Sequence, residues 1–180
     1  MRRVKKHKEL LVESLGKYLV PALTRKGFQC DARQIEPDGS KNVGTFPFQQ
    51  LRRPRPDGGV DLVEIQFKTY GRPAFRINAC AVPKGGLPTI MGHRGPNELF
   101  AGGLHNHFET HARPWLRPLL RPVGLEPLGE WFSLALWRWR KPTRAAYEGL
   151  ALRVIPLIDE VDAALREDNV GPHVRRVAFT

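Results

Sequence analysis

The sequence predicts an α+β domain, an antiparallel β-meander of about five strands packed against an N-terminal helix and a long C-terminal helix. Three observations predict it. Residues 59–83 hold two alternating stretches. In the first, Val63, Ile65 and Phe67 alternate with Glu64, Gln66 and Lys68; in the second, Phe75, Ile77, Ala79 and Ala81 alternate with Arg76, Asn78 and Cys80. Period-2 alternation puts one set on a buried face and the other towards solvent or a second layer. Apolar residues at helical spacing recur near both ends of the chain. The strands between are joined by short links, which favours antiparallel neighbours.

Taken in order, the chain begins with a basic arm, Arg2, Arg3, Lys5, Lys6 and Lys8, that runs into a helix carrying Leu11, Leu15, Tyr18, Leu19, Ala22 and Leu23. Pro21 is expected to kink or shorten this helix, and Gly27 to end it. Phe28, Cys30 and Ala32 predict a first strand. A second is expected over 45–53, with Phe46 and Phe48 on one face and Pro47 confining it to an edge or an irregular path. The central hairpin turns at Tyr70-Gly71-Arg72-Pro73, where Gly71 can take a positive φ.

Residues 84–112 have no sustained period and read as a long loop rich in Gly, Pro and His. Arg113-Pro114, Arg117-Pro118 and Arg121-Pro122 then recur every fourth residue, which argues for an extended path over a regular helix. Trp131 to Arg140 predicts one more strand, apolar on both faces and hence a candidate central strand. Thr143 is positioned to cap the last helix, striped by Tyr147, Leu150, Ala151, Val154, Ile158, Val161 and Leu165, with a bend expected at Pro156. Residues 170–180 form a short tail with strand character, suited to a sheet edge in this chain or a neighbour. The 180 residues make one domain.

Composition narrows the function classes. No stretch approaches the roughly 18 apolar residues a membrane span needs, and no signal-peptide run follows the basic start, so a cytoplasmic location with no membrane partner is expected. Two cysteines, Cys30 and Cys80, make no disulfide framework. The formal net charge is +11. A field of that sign attracts polyanions, although an arginine-rich composition bias is the simpler account of it. The charge is polarised, since Glu148, Asp159, Glu160, Asp162, Glu167 and Asp168 make the last helical region acidic.

Three chemistries are open. A nucleic-acid interface would use Arg2, Arg3, Lys5 and Lys6, the raking arginines Arg113, Arg117 and Arg121, and the stacking patch Trp137, Arg138, Trp139 and Arg140. A metal centre, zinc being the natural ion, would use His93, His105, His107 and His111, because imidazoles brought together from a loop can leave an open position that activates water. The third is a protein-binding surface with neither cofactor nor catalytic residue, on the open sheet face or the long loop. Asp61 and Glu64 are expected to pair with Arg52, Arg53 or Arg76 across strands. No nucleophile elbow, phosphate loop or dinucleotide fingerprint is present.

Lys26-Gly27-Phe28, Phe48-Gln49 and Phe75-Arg76-Ile77-Asn78, followed by Trp131-Phe132 and a helix after Thr143, resemble a group of small bacterial proteins defined as a domain of unknown function. The resemblance implies a helix, an antiparallel meander, a Trp-containing later strand and a closing helix. It implies no reaction and no catalytic residue. The leading expectation is a bacterial cytoplasmic interaction domain with a protein partner, able to dimerise through a sheet edge or the C-terminal tail. The alternatives are a nucleic-acid-binding protein and a metal-dependent hydrolase on the histidines.

Overall fold

Helix α1 (Arg2–Arg25) forms because Leu11, Leu15, Leu19, Ala22 and Leu23 fall on one stripe, and all five are buried. Pro21 does not stop it. The proline lies on the exposed side of the helix, where water can replace the missing N–H donor. The end is set by Gly27 at φ +88°. There Phe28 N donates to Leu23 O at 3.2 Å and Gly27 N to Thr24 O at 2.9 Å, closing a Schellman turn that buries Phe28. A side chain at Gly27 would be strained in φ and would press on the Arg53 stem, 3.3 Å from an added Cβ.

The computed structural model describes residues 2–30, 50–68, 73–89, 92–96, 98–99, 101, 104, 106–110, 112, 131–134 and 142–178, with the side chains of 2–6, 106 and 178 outside that description. Its strands are β1 (Gln29–Cys30), β2 (Gln50–Pro54), β3 (Val60–Phe67), β4 (Ala74–Val82), β5 (Leu87–Thr89), β6 (Gly92–Arg94), β7 (Asn106–Thr110), β8 (Phe132–Ser133) and β9 (Val174–Ala178). Seven of them make one antiparallel sheet in the order β1-β2-β3-β4-β7-β9, with β8 also paired to β4. Strands β5 and β6 form a separate hairpin.

The α+β architecture is as the sequence predicts, and the central hairpin keeps the expected faces, with Phe67 opposite Phe75 and Ile65 opposite Ile77. The strand count exceeds five because 84–112, read as a loop, contributes β7 to the sheet and the separate β5–β6 hairpin. Strand β7 hides from the periodicity because its inward residues His107 and Glu109 are polar and point at a polar row. The tail joins this chain's own sheet as β9, paired with β7. The expected second and later strands are met in part by β2 and β8; 45–49, the hairpin turn 69–72 and the stretch 135–140 lie outside the described residues.

Helices α2 (Arg144–Val154) and α3 (Leu157–Glu167) replace the single bent helix. Thr143 Oγ1 caps α2 by accepting from Ala146 N at 3.3 Å. Pro156 has no N–H for Leu152 O, which instead accepts from Ile155 N at 3.3 Å in a tighter turn, and α3 restarts at Leu157. The two helices and α1 cover one face of the sheet. Val63, Ile65, Phe75, Ile77 and Phe108 meet Leu15, Leu19, Tyr147, Val161 and Leu165 there.

Into this apolar layer comes one ionic clip. Arg53 on β2 binds Asp61 on β3 through Nε (2.9 Å) and Nη2 (2.6 Å), and Asp162 on α3 through Nη1 (2.6 Å). Nη1 also donates to Lys26 O at 3.0 Å, and the guanidinium lies 4.4 Å over the Phe28 ring. Burial alone would push the Asp162 carboxyl up; hydrogen bonds from Arg166 and Arg53, and their charges, hold it below its ordinary value. The clip ties the end of α1, two strands and α3 together. Cys30 is exposed and Cys80 buried, both as free thiols.

Candidate functional site

The second face of the sheet is where the unusual chemistry lies. Successive register pairs set Gln50 opposite Glu64, Glu64 opposite Asn78, Asn78 opposite Glu109 and Glu109 opposite Arg175. These residues form one polar row across β2, β3, β4, β7 and β9. The first four are buried, between 0% and 7% exposed. An apolar row is the usual occupant of so buried a position, so a row of amides and carboxylates needs its own partners.

At the β9 end those partners are arginines. Glu109 receives Arg76 Nη1 at 2.8 Å on Oε1 and Arg175 Nη2 at 2.8 Å on Oε2. His107 Nε2 lies 3.2 Å from Oε1, and its Nδ1 lies 2.8 Å from Leu104 O. Burial acts to raise the Glu109 carboxyl. The hydrogen bonds from His107 and Arg175 and the charges of Arg76 and Arg175 outweigh it and hold the group at about 2. Both arginines keep partial contact with solvent, their side chains 17% and 22% exposed. Arg76 also stacks 5.1 Å from the Trp131 ring.

At the β2 end the amides are oriented by arginines too. Arg52 Nη2 donates to Gln50 Oε1 at 3.1 Å, which fixes Gln50 with its amide nitrogen turned the other way. Arg76 Nε and Asn78 Nδ2 both donate to Gln66 Oε1, at 2.6 and 3.0 Å. Gln50 Nε2 and Asn78 Oδ1, on either side of Glu64, are left without a protein hydrogen-bond partner. Arg52 reaches further, to Pro96 O at 2.5 Å and Leu99 O at 3.1 Å. It thereby holds the segment that packs Leu99, Ala101 and Leu104 on Leu62, Cys80 and Val82. In that small apolar patch the Cys80 thiol is pushed up to about 12, by burial first and by the Asp61 charge second, so it is no nucleophile at neutral pH.

On the helix side of the same sheet end, a cleft of about 430 Å³ opens beside β9, lined by Ala81, Phe108, Leu165, Asp168 and Arg176 among others. Arg176 pairs with Asp168, the helix-ending residue at φ 57°, and stacks 5.4 Å from the Phe108 ring.

Comparison with known proteins supplies no kin for this arrangement. No family model, no curated protein and no solved structure matches the chain.

The residues singled out from the sequence fall mostly elsewhere. His107 is in the polar row's surroundings, whereas His93 is on the exposed hairpin, its Nε2 donating to Gly85 O at 2.5 Å. His105 and His111 lie outside the described residues, and among the described residues no group of three His, Cys, Asp or Glu could hold a metal ion. Arg2, Arg3, Lys5 and Lys6 are in the first turns of α1, with side chains outside the description. Arg113, Arg117, Arg121, Trp137, Arg138, Trp139 and Arg140 lie outside the described residues. The expected pairing of Asp61 with Arg53 is present. The row itself was written in the alternation, as Glu64 with Gln66 and Arg76 with Asn78. Leu62 and Cys80 continue that face in apolar residues, but the four polar side chains between them interrupt the alternation that would mark it as buried.

Proposed function

We propose that this protein is a non-enzymatic interaction domain that binds an acidic protein surface through the arginine-rich end of its sheet, around Arg76, Arg175 and Arg176. The observation that carries this reading is the Glu109 group. One buried carboxylate fixes two partly exposed guanidiniums in place, so the face offers pre-oriented cationic donors at little entropic cost. The same carboxylate, held at about 2, is a poor proton acceptor at neutral pH, and Cys80, at about 12, is a poor nucleophile. The formal charge of +11 adds long-range attraction for an acidic partner. No described helix is long and apolar enough to cross a membrane.

The same charge favours a second reading, binding of nucleic acid. Fluorescence anisotropy with labelled polyglutamate and with a single-stranded oligonucleotide of equal charge separates the two. The first reading expects polyglutamate to bind, and Arg175→Ala to weaken it about fivefold, the scale of one charge contact. Tighter binding of the oligonucleotide transfers the assignment to nucleic acid. Binding of neither probe overturns both.

A further inference from the structure

The polar row ends at β9, and β9 ends the sheet. Among the described residues no strand pairs with the outer edge of Val174–Ala178. An edge of this kind presents main-chain donors and acceptors to any extended chain that can lie beside it. What can lie there is decided by the side chains. Arg175 faces the polar row and Arg176 faces the helix side, the latter 45% exposed at its side chain beside the cleft under Phe108. His173, just before the strand, is 36% exposed at its side chain, with Nδ1 2.8 Å from Glu160 Oε1.

A second copy of this chain is a poor occupant. Antiparallel self-pairing about the strand's middle sets Arg175 against Arg175 or Arg176 against Arg176. Like charges directly opposite each other destabilise a pair of strands, and opposite charges stabilise it. An acidic strand meets the reverse situation on both faces at once. A residue opposite Arg175 lies on the polar side beside the Glu109 group, and a residue opposite Arg176 lies on the helix side beside the cleft. Alternate side chains of an added strand would therefore each find an arginine, while the main chain supplies hydrogen bonds that need no sequence match.

We infer that the outer edge of β9 is a docking edge for an extended acidic segment of a partner protein, which adds to the sheet as its next strand. This rests on the reading of the chain as an interaction domain and specifies how the partner is held.

The test uses the full chain and a synthetic valine peptide, roughly eight residues long, with adjacent pairs of glutamates so that acidic side chains fall on both faces of the added strand. The same peptide with proline in place of each valine, and so of the same charge, serves as the control that cannot make strand hydrogen bonds. The inference expects the valine peptide to bind and to slow hydrogen exchange about tenfold at those β9 amides that point away from β7. The proline peptide should do neither, and Arg176→Glu should weaken binding about tenfold. Arg176→Gln, with no new charge, should give an intermediate loss, and circular dichroism verifies that both variants fold. Equal binding of the two peptides with no slowing at β9 overturns strand addition and leaves the acidic-partner reading standing. Binding of neither overturns both. Slow exchange at all five β9 amides in the free protein, or a concentration-dependent dimer that protects them, shows the edge already occupied and overturns the inference.

Discussion

The two faces of the sheet each hold a buried ionic group, and the two groups have opposite composition. Under the helices, one cation, Arg53, sits between two carboxylates, Asp61 and Asp162. On the other face, one carboxylate, Glu109, sits between two guanidiniums, Arg76 and Arg175. The Arg53 and Glu109 side chains are almost equally buried, 8% and 7% exposed. Their surroundings differ. Arg53 spends its donors inward, on two carboxylates and the Lys26 carbonyl, and its face is closed by Phe28. Glu109 holds arginines whose outer parts still meet water. A closed group of this kind joins elements, and an open one presents charge. Burial of the central ion alone does not tell them apart; the exposure of its partners does.

The largest effect should come from breaking the closed group. Arg53→Met fills much of the same volume but leaves two carboxylates short of their principal cation, with Asp61 only 5% exposed at its side chain. Uncompensated buried charge of this sort costs about 3–5 kcal/mol. Urea unfolding should show that loss, and a loss under about 1 kcal/mol would mean that Lys26, Arg166 and Arg55, whose Nη1 lies 3.6 Å from Asp61 Oδ1, suffice to hold the carboxylates.

Glu109→Gln should cost less, about 1–3 kcal/mol, because Arg76 and Arg175 can turn outward and be hydrated. It should also change the acid limb of the stability curve. Folding lowers the Glu109 carboxyl from 4.5 to about 2, so the unfolded chain takes up its proton first as pH falls. The stability this group confers is complete above about pH 4.5, fades as pH drops, and is gone below about 2. The difference between wild type and Glu109→Gln should therefore shrink across that window. A constant difference from neutral pH down to 2 would show that the open group contributes by packing and not by charge.

The helix-covered face was legible in the sequence because it obeys the periods that reveal structure. Leu11, Leu15 and Leu19 recur at helical spacing, and Val63, Ile65 and Phe67 at strand spacing. Pro156 announced a bend but not a full break, since whether the chain resumes after one lost hydrogen bond depends on what the next turn can bury. Here Leu157, Ile158 and Val161 restart the stripe. The polar row was not legible as a site. Gln50, Asn78, Glu109 and Arg175 lie far apart in sequence, and only the register of five strands sets them side by side. Strand β7 suffered the same concealment, for a strand with buried polar residues on one face has no apolar alternation to betray it.

The smallest effect belongs to the outer margin of the closed group. Lys26 Nζ lies 2.6 Å from Asp159 and 3.7 Å from Asp162, a shorter contact than several inside the buried groups. If distance governed the energetics, Lys26→Ala would rival Glu109→Gln. But Asp159 is 71% exposed at its side chain and Lys26 37%, so water and salt already screen the attraction, and ordering a long side chain offsets what remains. Lys26→Ala should leave the urea midpoint within error of wild type, and raising the salt concentration should erase any residual difference. A loss as large as that of Glu109→Gln would show that the margin carries the clip, and the distinction drawn between closed and open groups would then rest on the wrong residues.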